Sequence, residues 1–208
     1  MIQCVFLLGA SGHAKMIIEV LRSQPTSYKI IACLDKSPKV DNLLGVKVIE
    51  ETAEILSRFA QDRVHGLVAI GDNRQRSKLI KTLDSSGIQQ AVAISKNAIV
   101  SASASIGPGT VVMPGAVIGA STVVGRGCII NTLSSIDHDG SIGDFVHVCP
   151  GCHVAGSVRI GEGVFLGTGS SVIDYIEIES WAIVGAGSTV IRNLAGAQTY
   201  VGSPAKSL

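Results

Sequence analysis

Net charge is almost missing from this chain: 17 Lys and Arg stand against 16 Asp and Glu, a formal +1 over 208 residues. That balance leaves no broad basic footprint for nucleic acid or for an anionic membrane surface. The expected partners are therefore small molecules or further copies of the chain. An even set of cysteines is missing too. Five, at positions 4, 33, 128, 149 and 152, do not suggest a disulfide framework and fit a reducing, cytoplasmic setting. The opening MIQCVFLLGASGHAK has no basic segment ahead of its apolar run. It leads into a glycine turn, and is expected to be a first strand rather than a signal peptide.

Charge is wholly absent from one stretch, residues 97–125. A membrane helix is the first explanation to test, and it fails. The stretch carries Gly107, Gly109, Gly115, Gly119 and Gly125 with Pro108 and Pro114, which cost a spanning helix too much.

What fills this stretch is a period of six. From Ile94 to Val190 every sixth residue is Ile, Leu or Val, passing through Ile106, Ile118, Ile130, Ile142, Val154, Leu166 and Ile178. Gly or Asp often follows the aliphatic residue, and a small residue such as Ala104, Ala116, Cys128, Ser134 or Ser188 often takes the fifth place. This is the hexapeptide signature of a parallel β-helix. Three hexads make one triangular coil, with the aliphatic side chain inside the prism and the small fifth residue inside a corner.

Register also decides how to read HVCPGCH, residues 147–153. Cys149, Cys152 and His153 have the spacing of a c-type haem attachment and offer ligands to a metal. With Val148 pointing inward, Cys149 is expected to face outward and Cys152 to fill a corner as a small hydrophobe. The thiols then point apart, and no metal is expected.

Residues 1–92 read as a Rossmann-like βαβ domain, and residues 93–208 as the β-helix with a short tail. In the first part a strand at 2–8, a helix over 14–22, the strand YKIIACLD, a helix from about Glu51 to Phe59, the strand HGLVAI and a helix over 74–83 alternate. Ligands of such sheets lie at the strand C-termini. Three loops converge there: Gly9, Ser11, Gly12 and His13; Asp35 and Lys36; and Gly71, Asp72 and Asn73. GASGHAK is a partial match to G-x-G-x-x-G, and a glycine loop at a helix start can hold a phosphate. A small nucleotide or nucleotide-sugar is the expected occupant.

In the second part His138 takes the third place of its hexad, an exposed turn, and Asp139 follows it. A carboxylate beside a histidine fixes its tautomer and stabilises the imidazolium, as a general base requires. Gly156 is one coil further on, stacked on His138. His147 is half a coil away on another side of the prism, so the two histidines can meet only across a subunit interface. A homotrimer of parallel prisms is the simplest assembly that does this.

The order Asn131, then Ser134-Ser135-Ile136-Asp137-His138-Asp139, then Ile142-Gly143-Asp144-Phe145-Val146-His147-Val148, then Val154-Ala155-Gly156, and finally Val201-Gly202-Ser203-Pro204-Ala205-Lys206, resembles the bacterial sugar acetyltransferases of the sialic acid and bacillosamine type. With GASGH near the start, the likeness covers nearly the whole chain. It implies a left-handed β-helix, a homotrimer, and acetyl-CoA lying along the prism between subunits, against Asn131, Gly156, Gly167, Gly185, Ala186 and Lys206. It also implies that His138 is the base, that Asp139 is its partner and that His147 contacts the acceptor. The Gly156 N–H would then face the thioester oxygen. The expected reaction is acetyl transfer to the amine of a UDP-linked 4-amino-sugar, with a sialic acid-like hydroxyl as the alternative acceptor. Asp rather than Glu at 139, and Ser203 where a larger residue is common, are departures that remove no catalytic group. A zinc lyase of the γ-carbonic-anhydrase kind would use His138, His147 and His153, but His153 follows His147 by one hexad and belongs to a neighbouring face.

Overall fold

The computed structural model describes residues 2–23 and 28–208, which form two compact units, Met1–Lys96 and Asn97–Leu208. In the first unit β1 (Gln3–Leu8), α1 (Gly12–Ser23), β2 (Tyr28–Asp35), β3 (Asn42–Leu43), β4 (Val46–Glu50), α2 (Ala53–Gln61), β5 (His65–Val68) and α3 (Asn73–Ser85) follow one another. The sheet order is β3-β4-β2-β1-β5, parallel throughout except for the antiparallel pair β3 and β4. Val5, Phe6, Leu7 and Leu8 in the middle of the sheet are at most 2% exposed. That is why β1 reads as an unbroken apolar run rather than an alternating one. Leu8 pairs with Leu34 on one side and Val68 on the other, so three strand C-termini end level with one another.

Two features differ from the expectation. Between Asp35 and α2 the sequence suggested only a connection, yet β3 and β4 form a hairpin there. Its two-residue turn, Leu44-Gly45, has φ of 50° and 80°, and the Asn42 side chain accepts a hydrogen bond from the Gly45 N–H at 2.7 Å. Such a turn usually announces itself as Asn-Gly or Asp-Gly, and Leu-Gly hides it. The second helix also starts later than Glu51. Thr52 caps it, accepting from the Ile55 N–H at 3.2 Å, which leaves Glu51 in the turn that follows β4.

The second unit is a left-handed β-helix. Two-residue strands pair in parallel with the strand one coil on: Val117 with Ser135, Val123 with Ser141, Ile129 with His147. The inward residues Ile118, Val124, Ile130, Ile136 and Ile142 are at most 2% exposed, and Thr110, Ala116, Thr122, Cys128 and Ser134 in the fifth places are fully buried. Buried hydroxyls need partners, and the corners supply them: Thr110 donates to the Gly125 carbonyl and Thr122 to the Asp137 carbonyl. From Gly109 to Gly187 the corners turn through a residue at positive φ in the fourth place, often glycine but also Ser121, Asp139 and Tyr175. The charge-free stretch forms the first of these coils, and among the described residues no helix is long and apolar enough to cross a membrane. At the far end Thr199–Val201 extends one face and pairs antiparallel with Lys206–Ser207.

Cys152 is fully buried in its corner, as register requires, but Cys149 is only 5% exposed and does not face solvent as expected. Its N–H bonds the Leu166 carbonyl, while Asn131 and Gly167 hold the same place in the coils on either side. At a coil spacing of about 4.8 Å a side chain as small as a thiol is covered between them.

Candidate active site

His138 and Asp139 form the corner that follows Ile136. The His138 Nδ1 lies 2.8 Å from Asp139 Oδ2, and both side chains are more than half exposed. Asp139 has a φ of 56°, a conformation in which Asp and Asn are far better tolerated than most residues. The corner conformation thus suits the residue that orients the imidazole. One residue earlier, Asp137 Oδ1 accepts the His138 backbone N–H at 2.8 Å. The hydrogen bond to Asp139, then the charge of Asp137 and that of Asp139, hold the His138 pKa above the ordinary histidine value. With Nδ1–H given to Asp139, the Nε2 lone pair is left to take a proton.

Gly156 lies directly against this ring. A Cβ on Gly156 would sit 2.6 Å from His138 Cε1 and 2.7 Å from Nε2, so only a glycine lets the imidazole rest there. The two coils are tied by the Ser157 N–H to the His138 carbonyl at 2.9 Å.

The other prism residues singled out by sequence gather elsewhere. Asn131, Gly167 and Gly185 each follow an inward residue of one face, and a Cβ on Gly167 would meet the Ala186 nitrogen at 2.6 Å. They run along one edge, with Lys206 on the strand that closes the same face, paired with Val201. Gly156 is not on that edge. Within one chain it belongs with His138, on a different corner.

His147 is 9% exposed, with Nε2 3.1 Å from Asn131 Nδ2 and its ring edge-on to Phe165 at 5.3 Å. His153, on the neighbouring face, meets Ser135 Oγ through Nδ1 at 2.9 Å. One chain therefore does not bring His138, His147 and His153 together. Among the described residues no group of three His, Cys, Asp or Glu is placed to hold a metal.

In the first unit a cavity of about 140 Å³ opens where the strand C-termini end, lined by Gly9, Asp35 and Lys36 as well as Leu8, Leu34, Glu51, Ile70, Gln75 and Leu79. Asp35 organises it: Oδ2 accepts the Ala10 N–H at 3.2 Å and Oδ1 the Ser37 N–H at 2.9 Å. Gly9 has φ of 111°, and a Cβ on it would meet Ile70 Cδ1 at 2.8 Å, so glycine is required by both conformation and space. Ser11, Gly12, His13, Gly71, Asp72 and Asn73 do not line the cavity. Ser11 and Gly12 stay exposed at the start of α1, whereas Asp72 caps α3 by accepting the Gln75 N–H at 2.7 Å.

Arg76 is a residue that sequence reasoning passed over. It is 1% exposed and donates to the Ile70 and Gly71 carbonyls at 3.2 and 2.9 Å and to Asn73 Oδ1 at 2.8 Å, holding the third loop in shape. An arginine in a helical run ordinarily reads as solvated, so the pattern gave no signal. Burial, and then the charge of Arg76, push the His13 pKa down to about 4. His13 is accordingly neutral near pH 7, and its Nε2 has no hydrogen-bond partner among the described residues.

Comparison with known proteins bears on both units. Residues 4–83 match the PglD N-terminal domain family. The whole chain superposes on PerB from Caulobacter crescentus, solved in complex with CoA and GDP-perosamine, at 38% identity and a TM-score of 0.92, covering 100% of this chain and 98% of that one. It also superposes on the acetyltransferase domain of PglB from Neisseria gonorrhoeae FA1090 in complex with acetyl coenzyme A, at 34% identity and a TM-score of 0.93, with 100% of each chain covered. WeeI from Acinetobacter baumannii AYE is similar at 27% identity and a TM-score of 0.88, over 99% of this chain and 100% of that one.

Proposed function

Since the chain belongs to the hexapeptide-repeat sugar N-acetyltransferases represented by PerB and PglB, we propose that it moves the acetyl group of acetyl-CoA onto the amine of a nucleotide-linked 4-amino-sugar, with His138 as general base. The observation that carries this reading is the 2.8 Å contact of His138 Nδ1 with Asp139 beneath an open Nε2. The neutral amine attacks the thioester carbonyl, and a C–N bond forms. His138 Nε2 takes the proton that the nitrogen sheds, and Asp139 stabilises the resulting imidazolium. The Gly156 N–H, which bonds no described group, donates to the oxyanion of the tetrahedral intermediate. That intermediate collapses with cleavage of the C–S bond, and the proton on His138 passes to the CoA thiolate. The first unit holds the nucleotide, through the Asp35 cavity and the glycine loop at the start of α1. The edge of Asn131, Gly167, Gly185 and Ala186 takes acetyl-CoA, with Lys206 near its end. In a homotrimer that edge belongs to the subunit beside the one that supplies His138.

The resemblance in sequence favours uridine on the nucleotide, while the sugar bound to PerB carries guanosine. A panel of UDP- and GDP-linked 4-amino-sugars, free amino-sugars and sialic acids, assayed for CoA thiol release, tests the whole reading. The linked amines should be acetylated, and His138→Ala should lower turnover by about 10²-fold or more with the fold intact. Acetylation of sialic acid hydroxyls in preference to every amine would replace this reading with O-acetyl transfer.

A further inference from the structure

The cavity at the C-terminal edge of the first sheet contains an acid without a task. Both carboxylate oxygens of Asp35 are engaged by backbone N–H groups. Glu51 lines the same cavity, is half-buried, and takes no hydrogen bond or ion pair through its carboxylate from any described residue. Its place is fixed on both sides: its N–H bonds the Asp35 carbonyl at 2.9 Å, and the capped start of α2 follows at once. A carboxylate drawn partly out of water with no donor of its own is costly unless something arrives to supply one. The remaining walls describe that visitor. Leu8, Leu34, Ile70 and Leu79 give apolar surface, Lys36 and Gln75 give side chains able to donate, and the volume of about 140 Å³ suits one flat heterocycle.

We infer that this cavity receives the base of the nucleotide on the acceptor, and that Glu51 selects guanine over uracil. The inference rests on the nucleotide-linked acceptor proposed above. Guanine presents two adjacent donors, N1–H and the 2-amino group, which match the two oxygens of one carboxylate. Beside them O6 is an acceptor for Lys36 or Gln75. Uracil offers one N–H between two carbonyl oxygens, so a carboxylate that accepts from it turns its second oxygen toward another acceptor. A bidentate, charge-assisted match of this kind discriminates between bases by about tenfold or more. Sequence reading overlooked Glu51 because it assigned the residue to a helix, where its carboxylate would have seemed an ordinary first-turn acid.

Calorimetric titration of the full-length protein with GDP, IDP and UDP tests the inference without relying on turnover. IDP is guanine-like except that it lacks the 2-amino group. GDP is expected to bind at least about tenfold more tightly than either IDP or UDP. Glu51→Gln should remove most of that preference by weakening GDP, with UDP affinity little changed and thermal unfolding unaltered. Equal binding of the three diphosphates, a preference for UDP, or a GDP preference that survives Glu51→Gln overturns the assignment of guanine while leaving a nucleotide-linked acceptor standing. If none of the three binds and a free amino-sugar is acetylated as fast as a linked one, the nucleotide reading itself has failed, and the guanine assignment falls with it.

Discussion

The imidazole of His138 rests on the bare Cα of Gly156, one coil further along the prism, where a Cβ would come within 2.6 Å of Cε1. Gly156 is not in the left-handed region, so its backbone would accept alanine. The constraint is the ring alone. Gly156→Ala should therefore fold normally and lose about 10²-fold in turnover, by pushing His138 off its position over Asp139. The informative measurement is the double variant. If the methyl acts by displacing the ring, Gly156→Ala should cost little further activity in a His138→Ala background, whereas full additivity would show that the two residues act separately.

In the proposed mechanism the carboxylate on Nδ1 sets the pH range of the base. As the proposed base His138 must be neutral to accept a proton, so activity is expected to fall as pH drops through its pKa, which the hydrogen bond to Asp139 and the charges of Asp137 and Asp139 hold above the ordinary value. Asp139→Asn keeps a residue that tolerates the φ of 56° but removes its charge. The acid limb of kcat/KM should move to lower pH, while the plateau rate drops by about tenfold or more. An acid limb that stays in place would mean that it reports the acceptor amine rather than His138.

Much of this site was legible because the repeat turns sequence distance into position. Counting hexads put His138 on an exposed turn, Gly156 against it and His147 on another face, and the structure has all three so placed. Cys149 shows the limit of counting: register gives the direction of a side chain, but not what the neighbouring coils cover. The first unit was less legible, since its glycine loop and strand ends follow from local pattern while its polar interior does not. Arg76 turns back on oxygens of Ile70, Gly71 and Asn73, three to six residues before it, and the helical pattern does not show that the loop curls toward the guanidinium. Glu51 turned on a helix boundary misplaced by two residues, within the usual uncertainty of such boundaries. Leu44-Gly45 hid a hairpin because leucine is an unusual residue at positive φ.

Tyr175 occupies the same kind of corner as Asp139, with φ of 57°, but it is 76% exposed and its hydroxyl bonds no described group. Phe145 and Trp181 share that conformation, yet Phe145 is buried and the Trp181 ring packs over Gly163. Tyr175 has no such compensation, so the left-handed backbone is an unrelieved cost of roughly 1 kcal/mol. Tyr175→Asn should raise the unfolding midpoint by about 2–4 °C, as read by calorimetry. A drop instead would reveal that the ring is covered in the assembled protein.

The assembly can be tested by complementation. His138 lies on one corner of the prism and the edge of Gly167, Gly185 and Ala186 on another, so with the base and the acetyl-CoA edge assigned as proposed, a single chain does not bring the two together. A trimer does so if each site combines the base of one subunit with the edge of the next. His138→Ala removes the proposed base, and Ala186→Trp blocks the edge at an exposed residue with no part in the inward packing. Each variant alone should be a folded, inactive trimer by light scattering and assay. Mixed trimers, formed by co-expression with two affinity tags, should regain a measurable fraction of wild-type turnover, since some interfaces then pair an intact His138 with an intact edge. Full activity of Ala186→Trp would take acetyl-CoA off that edge. Silent mixed trimers built from two inactive parents would place the whole site within one chain, and an active wild-type monomer would exclude a shared site altogether.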